Sequence, residues 1–167
     1  MKKLLCLLLA IAISFSLNAC AGPQEENPGQ GTKLVFTTND TDGNTWTEQN
    51  LSGYKLVMIN FWATWCGACV SEMPDLERLY QAYRDEGLLI LGVSGSDGKT
   101  DNAAVAQIRS DTGVTYPNLL YTEAFAPLLS DYLPTTVFLS EDGIICGNTV
   151  IGAKSYEDWV GIIENLL

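Results

Sequence analysis

The feature that most constrains this chain is a short apolar run that delivers two cysteines onto the start of a helix. Leu56 to Phe61 is apolar apart from Asn60 and leads into Trp65-Cys66-Gly67-Ala68-Cys69. Beyond the second cysteine, Leu76, Leu79, Tyr80 and Tyr83 recur at helical spacing, and Gly87 ends the pattern. The unpaired N–H groups and positive dipole end of a helix start stabilise a thiolate. Thiols three residues apart can bond and separate without refolding. The pair therefore reads as a thiol–disulfide exchange centre. Cys66, nearest the helix start and solvent, is the expected attacking sulfur, and Cys69, one turn deeper, the resolving one. Two other readings stay open on these residues alone. A structural disulfide would close a loop too small to constrain much of the chain, and half of a zinc site would need a second ligand pair.

Composition narrows the chemistry. The 167 residues contain no histidine, which removes Ser-His-Asp and Cys-His catalysis and any histidine-based metal site. Of the five cysteines, Cys6 and Cys20 lie in the N-terminal segment and Cys146 near the C-terminus, so only Cys66 and Cys69 have a spacing that implies bonding. Cys146, beside Ile144 and Ile145, is expected to be a buried, inert thiol. The formal net charge is −11, a surface that repels nucleic acid and anionic headgroups and suits basic partners. No cofactor and no metal are expected. Gly92 to Thr100 looks superficially like a phosphate loop, but its glycines leave five residues between them where that register needs four.

Met1-Lys2-Lys3 and the apolar stretch Leu4 to Leu17 suit a signal peptide and are short for a membrane span. The stretch ends in Leu17-Asn18-Ala19-Cys20, which resembles the lipobox of bacterial lipoproteins and implies removal of residues 1–19 and lipidation at Cys20. Ordinary cleavage after Ala21 is the alternative, and both export the protein. Residues 20–32, rich in Gly and Pro, read as a flexible tether. Its twelve residues from Ala21 span at most about 40 Å, which would keep an anchored domain close to the membrane.

Residues 33–167 read as one domain. Lys33 to Thr38 and Thr45 to Thr47 flank a turn at Asp40 to Asn44, an N-terminal β-hairpin. Leu56 to Phe61, Leu88 to Val93, Pro117 to Tyr121, Thr135 to Leu139 and Ile144 to Ile151 are expected strands. The segment from the cysteines to Gly87, Asp101 to Ser110, Glu123 to Tyr132 and Ser155 to Leu167 are expected helices; in the last, Trp159, Ile162, Ile163 and Leu166 face inward. Pro74 is expected to kink the first. This order implies an α/β layer structure with a mixed central sheet.

These residues bring a family into view. Phe61-Trp62-Ala63-Thr64-Trp65-Cys66-Gly67-Ala68-Cys69, Glu72-Met73-Pro74 and Leu133-Pro134-Thr135-Thr136-Val137-Phe138 resemble the thioredoxin superfamily, and within it the exported TlpA/ResA-like thiol–disulfide oxidoreductases. The resemblance implies a thioredoxin-like fold over residues 33–167. It also implies a cis bond at Pro134, whose loop with Leu133 faces the disulfide and shapes the substrate groove with Trp65, Gly67 and Ala68. Trp65 is expected to shield the disulfide and Trp62 to lie in the core. Glu72 matches an acidic residue that such proteins place below the active site, where a carboxylate could take the proton of Cys69; the alternative is a surface acid early in a helix. Asn60 stands where cytoplasmic thioredoxins have a buried aspartate, leaving Glu72 as the natural base. The implied partners are protein thiols and disulfides, apocytochrome c or oxidised surface proteins among them, and a membrane electron-transfer protein that re-reduces the dithiol. Ala68 replaces a common proline, so the potential does not carry over. The rivals are a thiol peroxidase, whose Pro-x-x-x-Thr-x-x-Cys pattern is missing, and a copper-binding module using Cys66 and Cys69.

Overall fold

The computed structural model describes residues 29–95 and 101–167. The expected signal peptide, Cys6, Cys20, most of the tether and the tip of the glycine-rich loop lie outside the described residues. The elements run β1 (Thr37–Asn39), β2 (Thr45–Thr47), β3 (Leu56–Trp62), α1 (Gly67–Tyr83), β4 (Leu88–Ser94), α2 (Asn102–Thr112), β5 (Asn118–Leu120), β6 (Thr135–Ser140), β7 (Ile145–Ile151) and α3 (Tyr156–Glu164).

The central sheet has the order β5-β4-β3-β6-β7, with β3, β4 and β5 parallel and β6 and β7 antiparallel. Strand β3 sits in the middle and is buried along its whole length. Because side chains alternate across a strand, its apolar run feeds two cores. Leu56, Met58 and Trp62 pack with α1, α2 and α3, whereas Val57, Ile59 and Phe61 pack with Phe36, Leu51 and Phe125 on the opposite face. The β4 run divides the same way, Ile90 to the helical side and Leu89, Leu91 and Val93 to the other. This is the physical basis of a near-continuous apolar strand: both faces are covered.

The N-terminal hairpin forms a separate two-stranded sheet, with Thr38 opposite Trp46. Its turn is organised by Asp40, whose Oδ1 accepts the N–H groups of Asp42 and Asn44 and whose Oδ2 accepts Asn44 Nδ2 and Trp46 Nε1, at 2.8–3.0 Å. Arg109 of α2 reaches across to Thr41 and Asp42.

Three expectations need correction. The expected strand Lys33 to Thr38 shrinks to Thr37–Asn39 plus an isolated bridge from Lys33 to Ile144. Residues 29–32 are not free tether: Gly31 N–H donates to Ile145 O and Ile145 N–H to Thr32 O, both at 2.9 Å. The open edge of β7 offers backbone groups that this segment satisfies. Glu123 to Tyr132 is not an α-helix but a short 3₁₀ segment, Glu123–Leu128. Pro127 has no N–H to return to Glu123, and the segment is held by bonds such as Phe125 N–H to Thr122 O. Pro74, by contrast, is carried within a continuous α1.

Candidate active site

The end of β3 releases the chain through Ala63–Trp65 into α1, and Cys66 is the N-cap of that helix. An N-cap position normally holds Ser, Thr, Asp or Asn, whose oxygen accepts a first-turn N–H. Here sulfur takes that place: Cys69 N–H is directed at Cys66 Sγ at 3.2 Å. Cys66 and Cys69 are joined by a disulfide, with Cα atoms 5.3 Å apart. Cys66 is 7% exposed and Cys69 1%, so an incoming sulfur reaches Cys66 first. A negative charge left on Cys66 Sγ on reduction meets the Cys69 N–H and the positive end of α1.

Pro134 follows a cis Leu133–Pro134 bond. The pairing of β3 with β6 sets Phe61 opposite Thr135, so the residue after Pro134 and the strand end that leads to the cysteines lie at the same end of the sheet. Leu133 packs against the cluster that contains both cysteines. The loop is tied by Ser130 and Thr135, whose hydroxyls lie 2.6 Å apart, and by Tyr132 N–H donating to Ser130 Oγ. Tyr132 itself is 68% exposed and Trp65, beside Cys66, is 67% exposed. Trp62 is fully buried, its indole N–H donating to Asn118 Oδ1 at 3.0 Å. Tyr132 was not a sequence candidate; by sequence it falls at the end of an expected helix.

Glu72 lies one turn along α1 from Cys69 and is only 3% exposed, which excludes the surface-acid alternative. Asn60 Nδ2 of β3 donates to Glu72 Oε1 at 3.0 Å and to Thr136 Oγ1 of β6 at 3.0 Å. The Lys154 N–H, just before α3, donates to Glu72 Oε2 at 2.7 Å. Burial pushes the Glu72 carboxyl up to about 7, against the opposing pull of these donors and of the Lys154 charge. A carboxyl poised there takes and gives a proton near neutral pH. Asn60, noted in the sequence only as a missing base, turns out to be a donor that holds the Glu72 carboxyl in place. The part of Lys154 had no signal in the sequence, since it is a backbone N–H that tertiary packing delivers.

Cys146 is a free, half-buried thiol on β7 opposite Phe138, and burial pushes it above the ordinary thiol range. It is less enclosed than the sequence suggests. Among the described residues no cluster of three His, Cys, Asp or Glu could hold a metal.

Residues 31–146 match the AhpC/TSA family. This chain belongs to that family. Within its reach, the thiol-disulfide oxidoreductase ResA of Geobacillus thermodenitrificans is 29% identical over 173 residues, covering 99% of this chain and 94% of that protein. Two solved structures show the same fold. A thiol:disulfide interchange protein of the thioredoxin family from Chlorobium tepidum superposes with a TM-score of 0.70 at 23% identity, covering 86% of this chain and 99% of its own. StoA from Bacillus subtilis gives 0.63 at 23% identity, covering 77% and 96%. The family member described here is a thioredoxin-like thiol–disulfide oxidoreductase with Cys66 and Cys69 at CxxC spacing.

Proposed function

We propose that this protein works on the outer face of a bacterial cell membrane, lipid-anchored through Cys20, where it reduces disulfides of exported proteins such as apocytochrome c or oxidised surface proteins. The observation that carries the thiol–disulfide exchange reading is a buried carboxyl, Glu72, one turn along α1 from a CxxC disulfide whose outer sulfur caps the helix, and the reductive direction is what the ResA-like resemblance implies. The location is supported by sequence: the basic start, the apolar run to Leu17 and the Leu17-Asn18-Ala19-Cys20 box. ResA relatives at 26–29% identity that align over 99% of this chain share that N-terminal extent.

In the reduced enzyme, Cys66 thiolate attacks one sulfur of a substrate disulfide. The S–S bond breaks, a mixed disulfide forms through Cys66, and the first substrate sulfur leaves as a thiolate that takes a proton from water. Glu72 then accepts the proton of Cys69 Sγ–H. The resulting thiolate attacks Cys66 Sγ, closing the Cys66–Cys69 disulfide and releasing the second substrate sulfur. Two electrons have passed from enzyme to substrate, and a membrane electron-transfer protein returns them. Trp65 and Tyr132 present exposed aromatic surface, and Leu133-Pro134 with Gly67 and Ala68 shapes the groove against which substrate backbone docks.

A Cys69→Ala variant tests this directly. It cannot resolve the mixed disulfide, so substrates accumulate on Cys66 and can be identified after release by reductant. The reading fails if Cys66→Ala captures as much as Cys69→Ala, or if the captured proteins are all cytoplasmic.

A further inference from the structure

Glu72 is met from three elements. Asn60 comes from β3 and the Lys154 N–H from the segment before α3. The third is Trp159, one turn into α3. Its side chain is fully buried and its indole N–H has no hydrogen-bond partner. It nevertheless lies near enough to Glu72 to favour the charged carboxylate, without closing a bond of ordinary geometry.

A buried N–H with no acceptor is a standing cost that native proteins rarely keep without a use. An indole can only donate, and a donor binds a carboxylate about twice as strongly as a neutral oxygen. The start of α3 adds to the same preference: Ser155 and Asp158 form its capping box, and the Lys154 N–H precedes it. Helix N-termini favour negative charge. Trp159 N–H to Ser155 O ties the indole-bearing residue to that capped turn at 3.0 Å.

We propose that Trp159 is a positioning residue for the proton-transfer step: its indole N–H closes on Glu72 when the carboxyl is ionised and loosens when it is protonated, so that α3 sets how readily Glu72 takes the proton of Cys69. This rests on the reading of Glu72 as that acceptor. The other groups that charge or titrate around Glu72 are Lys154, Tyr116 next to β5, and the two cysteines. Tyr116 is held far above the ordinary range by burial, and in the disulfide form the cysteines carry no proton. Among the described groups, Glu72 is therefore the one that changes charge at this spot near neutral pH.

The test is an NMR titration of the oxidised full chain, labelled at glutamate carboxyl carbons and at indole nitrogens. Signals are assigned with Glu72→Gln and Trp159→Phe. The Trp159 indole proton is expected to move downfield with the midpoint of Glu72, near 7, and to stay still in Glu72→Gln. In Trp159→Phe the Glu72 midpoint is expected to rise by about one unit, and the pH profile of disulfide exchange to rise with it. An indole proton that ignores Glu72, or a Glu72 midpoint unmoved in folded Trp159→Phe, overturns the proposal. Should that variant fail to fold, the wild-type indole titration decides alone. The two readings fail separately. If the indole follows Glu72 but Glu72→Gln exchanges disulfides with an unchanged pH profile, the proton-acceptor reading falls and the Trp159–Glu72 pair stands. If the profile depends on Glu72 and the indole does not, only the assignment of Trp159 falls.

Discussion

Replacing Glu72 by Gln should make the oxidised protein more stable at neutral and alkaline pH. The native carboxyl titrates at about 7, whereas in the unfolded chain it returns to an ordinary 4.5. Between these values the folded state holds a proton that the unfolded state has released, so wild-type stability falls as pH rises across that window and is level outside it. At 1.36 kcal/mol per pKa unit, the window is worth about 3 kcal/mol. Gln is neutral at every pH and nearly isosteric with the protonated acid. Its new amide donor meets Asn60, whose own amide can turn to offer Oδ1, so the exchange leaves no buried donor facing another. The assay is urea unfolding of wild type and Glu72→Gln from pH 4 to 9 with the disulfide intact, so that neither Cys66 nor Cys69 titrates. The difference between the two is expected to grow with pH by about 3 kcal/mol and to flatten above 8. Other titrating groups cancel in that difference where they are distant from the site. A difference curve that is flat from pH 4 to 9 would refute the claim that burial governs this carboxyl.

In the reduced enzyme the same Glu72→Gln substitution should slow resolution of a Cys66 mixed disulfide by roughly 10²-fold. The wild-type rate should rise as pH passes about 7, measured by single-turnover release of a labelled substrate thiol. Gly92→Ala should destabilise the domain by about 1–3 kcal/mol, read by urea unfolding. A Cβ there meets Asn118 Oδ1 at 2.3 Å and Trp62 Nε1 at 3.2 Å, which are the two atoms of a buried hydrogen bond. Asp40→Ala should cost about 2 kcal/mol or more, since it orphans several N–H donors of the hairpin turn. Burial raises the Asp40 carboxyl, but its hydrogen bonds from Asn44, Trp46 and Asp42 together hold it below the ordinary 3.8. Its contribution is present above that value and lost as pH falls through the lower folded value. The gap between wild type and Asp40→Ala should therefore close in acid unfolding below about pH 4.

Much of the architecture was legible because it depends on local patterns. The apolar runs Leu56 to Phe61 and Leu88 to Val93 mark the buried strands, Gly87 with a positive φ of 108° ends the 3₁₀ turn Arg84–Glu86 that follows α1, and Ser155 caps α3 with a reciprocal Asp158 bond. Misreadings fell where a distant partner decides, and at Glu123 to Tyr132 where one local residue does. Gly29 to Thr32 looks like tether until the edge of β7 takes up its backbone groups. Glu123 to Tyr132 has helical spacing, and the outcome turns on one missing N–H at Pro127. Tyr132 ends an expected helix by sequence, and the pairing of β3 with β6 instead brings the loop that holds it to the end of the sheet where β3 leads into the cysteines.

The sequence by itself determined the chemistry available: two sulfurs at CxxC spacing behind a buried strand, a carboxyl three residues on, and no histidine to supply another base. Those are covalent spacings, and helix geometry carries them through unchanged. What only the tertiary structure decided is the state of Glu72. Three residues beyond Cys69 on a helix is compatible with solvent or with core, and the acid is ordinary in the first case and a base for neutral pH in the second. The difference comes from α3 closing over α1, which removes water from the carboxyl while bringing it the Lys154 N–H and the waiting indole of Trp159. Desolvation is a property of what surrounds a group, and at Glu72 those surroundings include Lys154 and Trp159, more than eighty positions away.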